Sequence, residues 1–316
     1  MDEIDRKILI QLDKNVRVSN TQIAKAVRAS KDVVSYRIAR LQEAGILTGF
    51  FALTASSKLN RHFYKLLLKF QSIGTEHEKE LLGWLNKNEH VVWTGSSDGN
   101  WNLIITLSVE NIKQLTDLLD SLYAKYGRYM SKKELLSVKS VAMYNEKYLY
   151  PKGQFAYEHY LDFTAKPEQI DKKDLILLKS VADNSRSSIV TLAKAINLTP
   201  EATAKRLKSL LKKGFIVGYK PRISFTKLGY EYFHVFISAR TPSAVKEIID
   251  YYKSHPDCVA ILEELGYYDM HLEFVIKTTQ QFRDILKDLR DRFGDKIHEY
   301  EPLQIYTEYR INPLPS

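Results

Sequence analysis

Apolar residues recur at helical spacing three times within the first fifty positions. Ile4, Ile8, Leu9 and Leu12 predict an amphipathic helix over 2–14, with Asp2 and Asp5 at its N-terminus. Ser19 and Gln22 form an S-x-x-Q capping box ahead of Ile23, Ala24 and Val27, which predicts a second helix. After the turn at Arg28-Ala29, Ser30 is a good N-cap for a third helix running to Ala44. There Val34, Ile38 and Leu41 recur at i, i+4 and i+7, and Gly45 supplies the C′ glycine. Ile46 to Thr54, β-branched and aromatic around Gly49, predicts a short hairpin or wing.

Three short helices and a wing constitute a winged helix-turn-helix. From His62 the period changes. HFYKLLLKFQ, VVWTG, WNLIITLSV and Leu135–Tyr144 read as strands, while Glu76–Asn88 and Ile112–Tyr126 read as helices. The order βαββαβ implies an antiparallel sheet with two helices on one face, the ferredoxin-like arrangement, and leaves the other face uncovered. Trp84, Trp93 and Trp101 are expected in its core.

Tyr150 to Gln169, containing Pro151, Gly153 and Pro167, reads as a linker or connecting strand, and then the pattern restarts. NSRSSIVTLAKAINLTPEATAKRLKSLLKKGFIVGY aligns without a gap to NVRVSNTQIAKAVRASKDVVSYRIARLQEAGILTGF. Arg206 follows Arg37 by 169 positions (206 − 37), and Ile170-Asp171 is read as the match of Ile4-Asp5. The expected architecture is α+β: a winged helix-turn-helix at 1–60, a ferredoxin-like domain at 61–150, a linker at 151–169, a second winged helix-turn-helix at 170–229 and a second ferredoxin-like domain at 230–316.

Charge now changes the picture. With 47 basic against 38 acidic residues, the net charge of +9 favours a polyanionic partner without demanding one. The outward face of the first copy's third helix carries Ser35, Tyr36 and Arg40, beside Asp32, with Lys31 and Arg37 on its flanks and Ser30 at its cap. Its counterpart carries Lys205 and Lys208, with Arg206, Lys212 and Lys213 nearby. A merely solvated face would mix charges, so the basic bias of the second copy points to double-stranded DNA. Arg37 and Arg40 are expected on phosphate or guanine, Ser35 and Tyr36 on backbone or bases, and the lysines on phosphate. A single cysteine, Cys258, and the lack of a membrane-length apolar stretch lead to the expectation of a soluble, intracellular protein, placed in the cytoplasm.

IDRKIL, IAKAV and SKDVVSYRIARLQEAGIL, followed by a βαββαβ domain, resemble the Lrp/AsnC (feast/famine) transcriptional regulators across essentially the whole chain, in tandem. The resemblance implies sheet domains that pair face to face, either within one chain as a pseudo-dimer or between chains as a homo-oligomer. It also implies an amino-acid effector site near a G-x-[YF]-D turn. The matching positions are Gly266, Tyr268 and Asp269 in the second copy and Gly99, Trp101 and Asn102 in the first, where Trp and Asn depart from the pattern. A purely structural turn is the competing reading.

Other chemistry is poorly supported. Gly95–Gly99 matches G-x-S-x-G but joins two strands rather than a strand and a helix. The eight histidines show no metal-binding spacing, so neither metal, cofactor nor enzyme activity is expected. Sirohaem decarboxylases share the tandem architecture and WNLIITL loosely resembles one of their segments, but VVWTGSSDG lacks their H-N-Y and R-x-H elements, and His90 and His271 fall outside the expected places. A protein-interaction scaffold with winged helices that no longer touch DNA is the remaining alternative.

Overall fold

A computed structural model of the chain describes residues 1–151, 157–311 and 314; Gly153 of the expected linker lies outside them. The first unit opens with helices α1 (Glu3–Lys14), α2 (Asn20–Val27) and α3 (Lys31–Glu43), followed by strand β1 (Leu47–Thr54). Capping boxes at Asp2/Asp5 and Ser19/Gln22 start α1 and α2, and the Ser30 hydroxyl accepts from the Val33 amide at the head of α3. Ile8, Leu9, Leu12, Ile23, Val34 and Ile38 close the core between them.

A sheet unit follows: β2 (His62–Phe70), α4 (Thr75–Lys87), β3 (Val91–Ser97), β4 (Leu103–Val109), α5 (Ile112–Tyr126) and β5 (Met130–Tyr144). Strand β6 (Glu158–Asp162) occupies part of the expected linker and pairs with the end of β5. The second copy runs α6 (Lys172–Asp183), α7 (Ile189–Ile196), α8 (Pro200–Lys212), β7 (Ile216–Ile223), β8 (Glu231–Ala239), α9 (Pro242–Tyr252), β9 (Cys258–Leu265), β10 (Met270–Ile276), α10 (Thr279–Phe293) and β11 (Ile297–Ile311).

The expected hairpin wing is corrected by the structure. β1 finds its partner in the other copy, pairing antiparallel with β7 from Leu47↔Ile223 to Thr54↔Ile216, so the two wings make one shared ribbon. Each copy supplies one strand where a self-contained wing would need two.

The sheet units are fused more deeply. β5 pairs with β2 of its own copy over Met130–Ser137 and then with β9 of the other over Ser137–Met143. β11 does the same, pairing with β8 and then with β3. The order β2-β4-β3-β11-β8-β10-β9-β5 therefore closes through the β2–β5 pairing. The closed sheet buries the face that sequence left uncovered: Leu67, Trp101, Ile104, Leu136, Phe236 and Tyr268 meet inside it. Outside, Leu81, Leu85, Leu115 and Leu118 seat α4 and α5, while Ile248, Tyr252, Ile285 and Leu289 seat α9 and α10.

Candidate nucleic-acid interface

The two third helices, α3 and α8, each bury one face and present the other to solvent. Val34, Ile38 and Leu41 anchor α3, and Thr203, Leu207 and Leu210 anchor α8. Tyr36 stands 66% exposed on α3 and Lys31 and Arg40 are exposed with it. The position 169 residues later (205 − 36) is Lys205, 78% exposed and paired with Glu201 one turn away at 2.9 Å. Lys208, Lys212 and Lys213 are also exposed.

Two arginines expected on DNA are committed elsewhere. Arg37 Nη1 lies 2.6 Å from Asp2 and 2.8 Å from Asp5, and Arg206 Nη1 lies 2.6 Å from Asp171 and 2.7 Å from Asp174. The hydrogen bond from Arg37 holds the Asp2 carboxyl down at about 2, so this clamp stays charged at neutral pH. Each pair ties the third helix to the start of the first, which makes these arginines positioning groups. Arg40 reaches the buried Asp5 with Nη2 at 2.7 Å yet keeps 45% of its side chain exposed. The same pairs correct the alignment of first helices: Asp171 matches Asp2 and Asp174 matches Asp5, keeping the offset of 169 (171 − 2, 174 − 5). Ser35 donates to the Lys31 carbonyl and accepts from Asn20, so its hydroxyl is engaged within the module.

The modules meet through reciprocal contacts as well as the ribbon. Arg17 donates to the Ser185 carbonyl and Arg186 to the Val16 carbonyl, the same pair of positions exchanged between copies (186 − 17 and 185 − 16 both give 169). Such exchange is the signature of an isologous, two-fold interface, here within one chain.

The turns expected to hold an effector are occupied by structure. Asn102 accepts from the Phe70 amide and Asp269 from the Ala239 amide at 2.7 Å. Trp101 and Tyr268 are buried against each other inside the closed sheet, the indole N–H 3.5 Å from the phenol. Gly99 and Gly266 take positive φ, which the turns require. Asn102 Oδ1 and Asp269 Oδ2 are thereby spent on building the hairpins.

A pocket of about 300 Å³ lies instead between ribbon and barrel, lined by Phe51, Leu53, Lys220 and Arg222 on one side and by Lys65, Trp93, His234 and Glu273 on the other. His234 and Glu273 face each other across β8 and β10, and His271 sits two residues before Glu273 on the same face. Burial pushes the His234 imidazole well below its ordinary pKa, so it is neutral. Sequence reasoning missed this group, although H-x-E at period two in β10 was its signal.

Comparison with known proteins gives consistent relatives. The winged helix-turn-helix DNA-binding family profile matches residues 1–48 and 170–217. An uncharacterised HTH-type transcriptional regulator of Pyrococcus abyssi is 28% identical over 138 residues, which are 43% of this chain and 90% of that protein. The HTH-type transcriptional regulator LrpA of Pyrococcus horikoshii is 39% identical over 61 residues, 19% of this chain and 43% of its own length. Among solved structures, the siroheme decarboxylase NirDL superposes with a TM-score of 0.64 at 14% identity, covering 99% of this chain and 94% of its own. That likeness shows a shared tandem fold.

Proposed function

We propose that the chain, a tandem-duplicated relative of the Lrp/AsnC winged helix-turn-helix regulators, is a sequence-specific DNA-binding transcriptional regulator in which one polypeptide does the work of a dimer. The observation that carries this reading is the pairing of the two winged modules through the β1–β7 ribbon and the Arg17 and Arg186 contacts. A two-fold relation between reading helices matches the two-fold relation between half-sites on a duplex. The helices differ, however. α3 offers Tyr36, Arg40 and Lys31, with the Ser30 hydroxyl at its cap, while α8 offers Lys205, Lys208, Lys212 and Lys213. The first set suits base edges and the second suits phosphate, so the preferred site has unlike halves. Footprinting on genomic fragments tests this: protection of two unlike half-sites by one chain is expected, and a perfect palindrome indifferent to Lys205→Ala/Lys208→Ala contradicts it.

A second reading, sirohaem decarboxylation, draws on the shared tandem fold and on a histidine-bearing pocket. At about 300 Å³ the pocket is at the lower limit for a drug-sized ligand and small for a tetrapyrrole. Added sirohaem that gives both a Soret shift and CO₂ release would establish it over the regulator reading. Among the described residues no helix is long and apolar enough to cross a membrane.

A further inference from the structure

The ribbon pocket is lined by a buried histidine whose polar atoms are not hydrogen-bonded. Neither ring nitrogen of His234 makes a hydrogen bond among the described residues, and the residue is 1% exposed. Buried polar groups without a hydrogen bond are rare and call for an explanation, an ion among them.

We propose that His234, His271 and Glu273 form a binding site for one divalent transition-metal ion of the zinc class. One ligand atom from each lies within 4.8 Å of the others. A tetrahedral ion with bonds of about 2.0–2.2 Å sets neighbouring donor atoms roughly 3.3–3.5 Å apart. His271 Nε2 is 3.1 Å and His234 Nε2 3.7 Å from Glu273 Oε1, on either side of that value. Strand geometry builds the set, because His234 lies directly opposite Glu273 and His271 shares its face. Two imidazoles and a carboxylate favour zinc, nickel, cobalt or copper over magnesium and calcium.

The surroundings fit a metal shell. Glu264 Oε1 stands 3.1 Å from His271 Nδ1, where a carboxylate orients a ligating imidazole, and the Tyr232 hydroxyl donates to the second oxygen of Glu273. His234 and Glu273 both line the pocket, which leaves room for a fourth, exchangeable ligand. Lys65 Nζ, 3.0 Å from the His271 Nε2 that would ligate, stands where an entering ion has to displace it. The site is indifferent to whether the chain reads DNA.

Co²⁺ titration of the chelator-treated full chain, followed by visible absorption, with Zn²⁺ calorimetry alongside, tests the site. One ion per chain is expected, with d–d bands and no sulfur charge-transfer band. His234→Gln should weaken Zn²⁺ binding by more than about 100-fold and Glu264→Gln by roughly 10–100-fold. Lys65→Met should tighten it, and Zn²⁺ should raise the melting temperature of that variant more than that of the wild type. Metal-free melting curves report whether each variant folds, and Glu264→Gln, whose side chain is outside the ligand set, keeps the test decisive if His234→Gln does not. Absence of saturable one-to-one binding in the wild type would overturn the proposal. So would wild-type affinity in His234→Gln, or a Lys65→Met chain that loses stability without gaining metal affinity, the result expected of a plain buried ion network.

Discussion

Replacing Lys205 and Lys208 together by alanine should change how DNA binding depends on salt, whereas replacing Arg206 by glutamine should not. Both lysines project from the free face of α8: Lys205 is 78% exposed and held only by Glu201, and Lys208 makes no ion pair among the described residues. Arg206 is turned inward onto Asp171 and Asp174. Each phosphate neutralised contributes about 0.9 to the slope of log affinity against log salt, so losing two contacts lowers the slope by about 1.8. Between 50 and 200 mM salt, a range of about 0.6 log units, the variant's affinity should then fall roughly tenfold less steeply than the wild type's. Arg206→Gln should instead lower the melting temperature and leave the slope of the folded fraction alone. Fluorescence anisotropy on a fixed duplex at four or more salt concentrations, with melting curves on the same samples, measures both. If folded Arg206→Gln loses as much slope as the lysine pair, the ion-pair assignment is wrong.

Other expected outcomes follow from the turns, the ribbon and the packed glycines. Asn102→Ala and Asp269→Ala each strip a backbone amide of its acceptor, Phe70 and Ala239 respectively, and should cost about 1–3 kcal/mol in urea unfolding. Gly266→Ala would put a Cβ 2.6 Å from Leu136 Cδ2 at a φ of +151°, and should destabilise by about 1–3 kcal/mol. Burial, aided by Lys220, lowers the His159 imidazole to about 4. Because the unfolded chain binds that proton near pH 6.5, this group makes stability fall as pH drops from about 6.5 to 4. His159→Gln should flatten that part of the wild-type stability profile, read from urea midpoints at pH 7, 5.5 and 4.5.

Local patterns reached a long way into this fold. The caps at Ser19 and Ser30, the apolar stripe of α3 and the glycine ending it all lie within a few residues of what they specify, and all appear where the sequence places them. The βαββαβ order also showed a sheet face in need of cover, and the family resemblance implied that a second sheet covers it. What local pattern could not carry was pairing between distant segments. β1 reads as a hairpin or wing of its own because its partner, β7, lies 169 positions on (216 − 47), and β5 and β11 each change partner halfway along. The candidate site was misjudged for the same reason. Arg37 looks like a DNA contact until α1 is folded back onto α3 and brings Asp2 and Asp5 against it. His234 lies 37 positions before His271 (271 − 234), too far for any spacing motif, and only the β8–β10 register brings them together.

The account turns on one chain presenting two unlike readers in a two-fold frame, and selection of binding sites from random duplex DNA by the full-length chain, at one stated salt concentration, tests that most directly. The expected result is an enriched site of two unlike half-sites about one helical turn apart, one half strongly specified and the other weakly. A perfect palindrome, or no enriched motif at all, would contradict it.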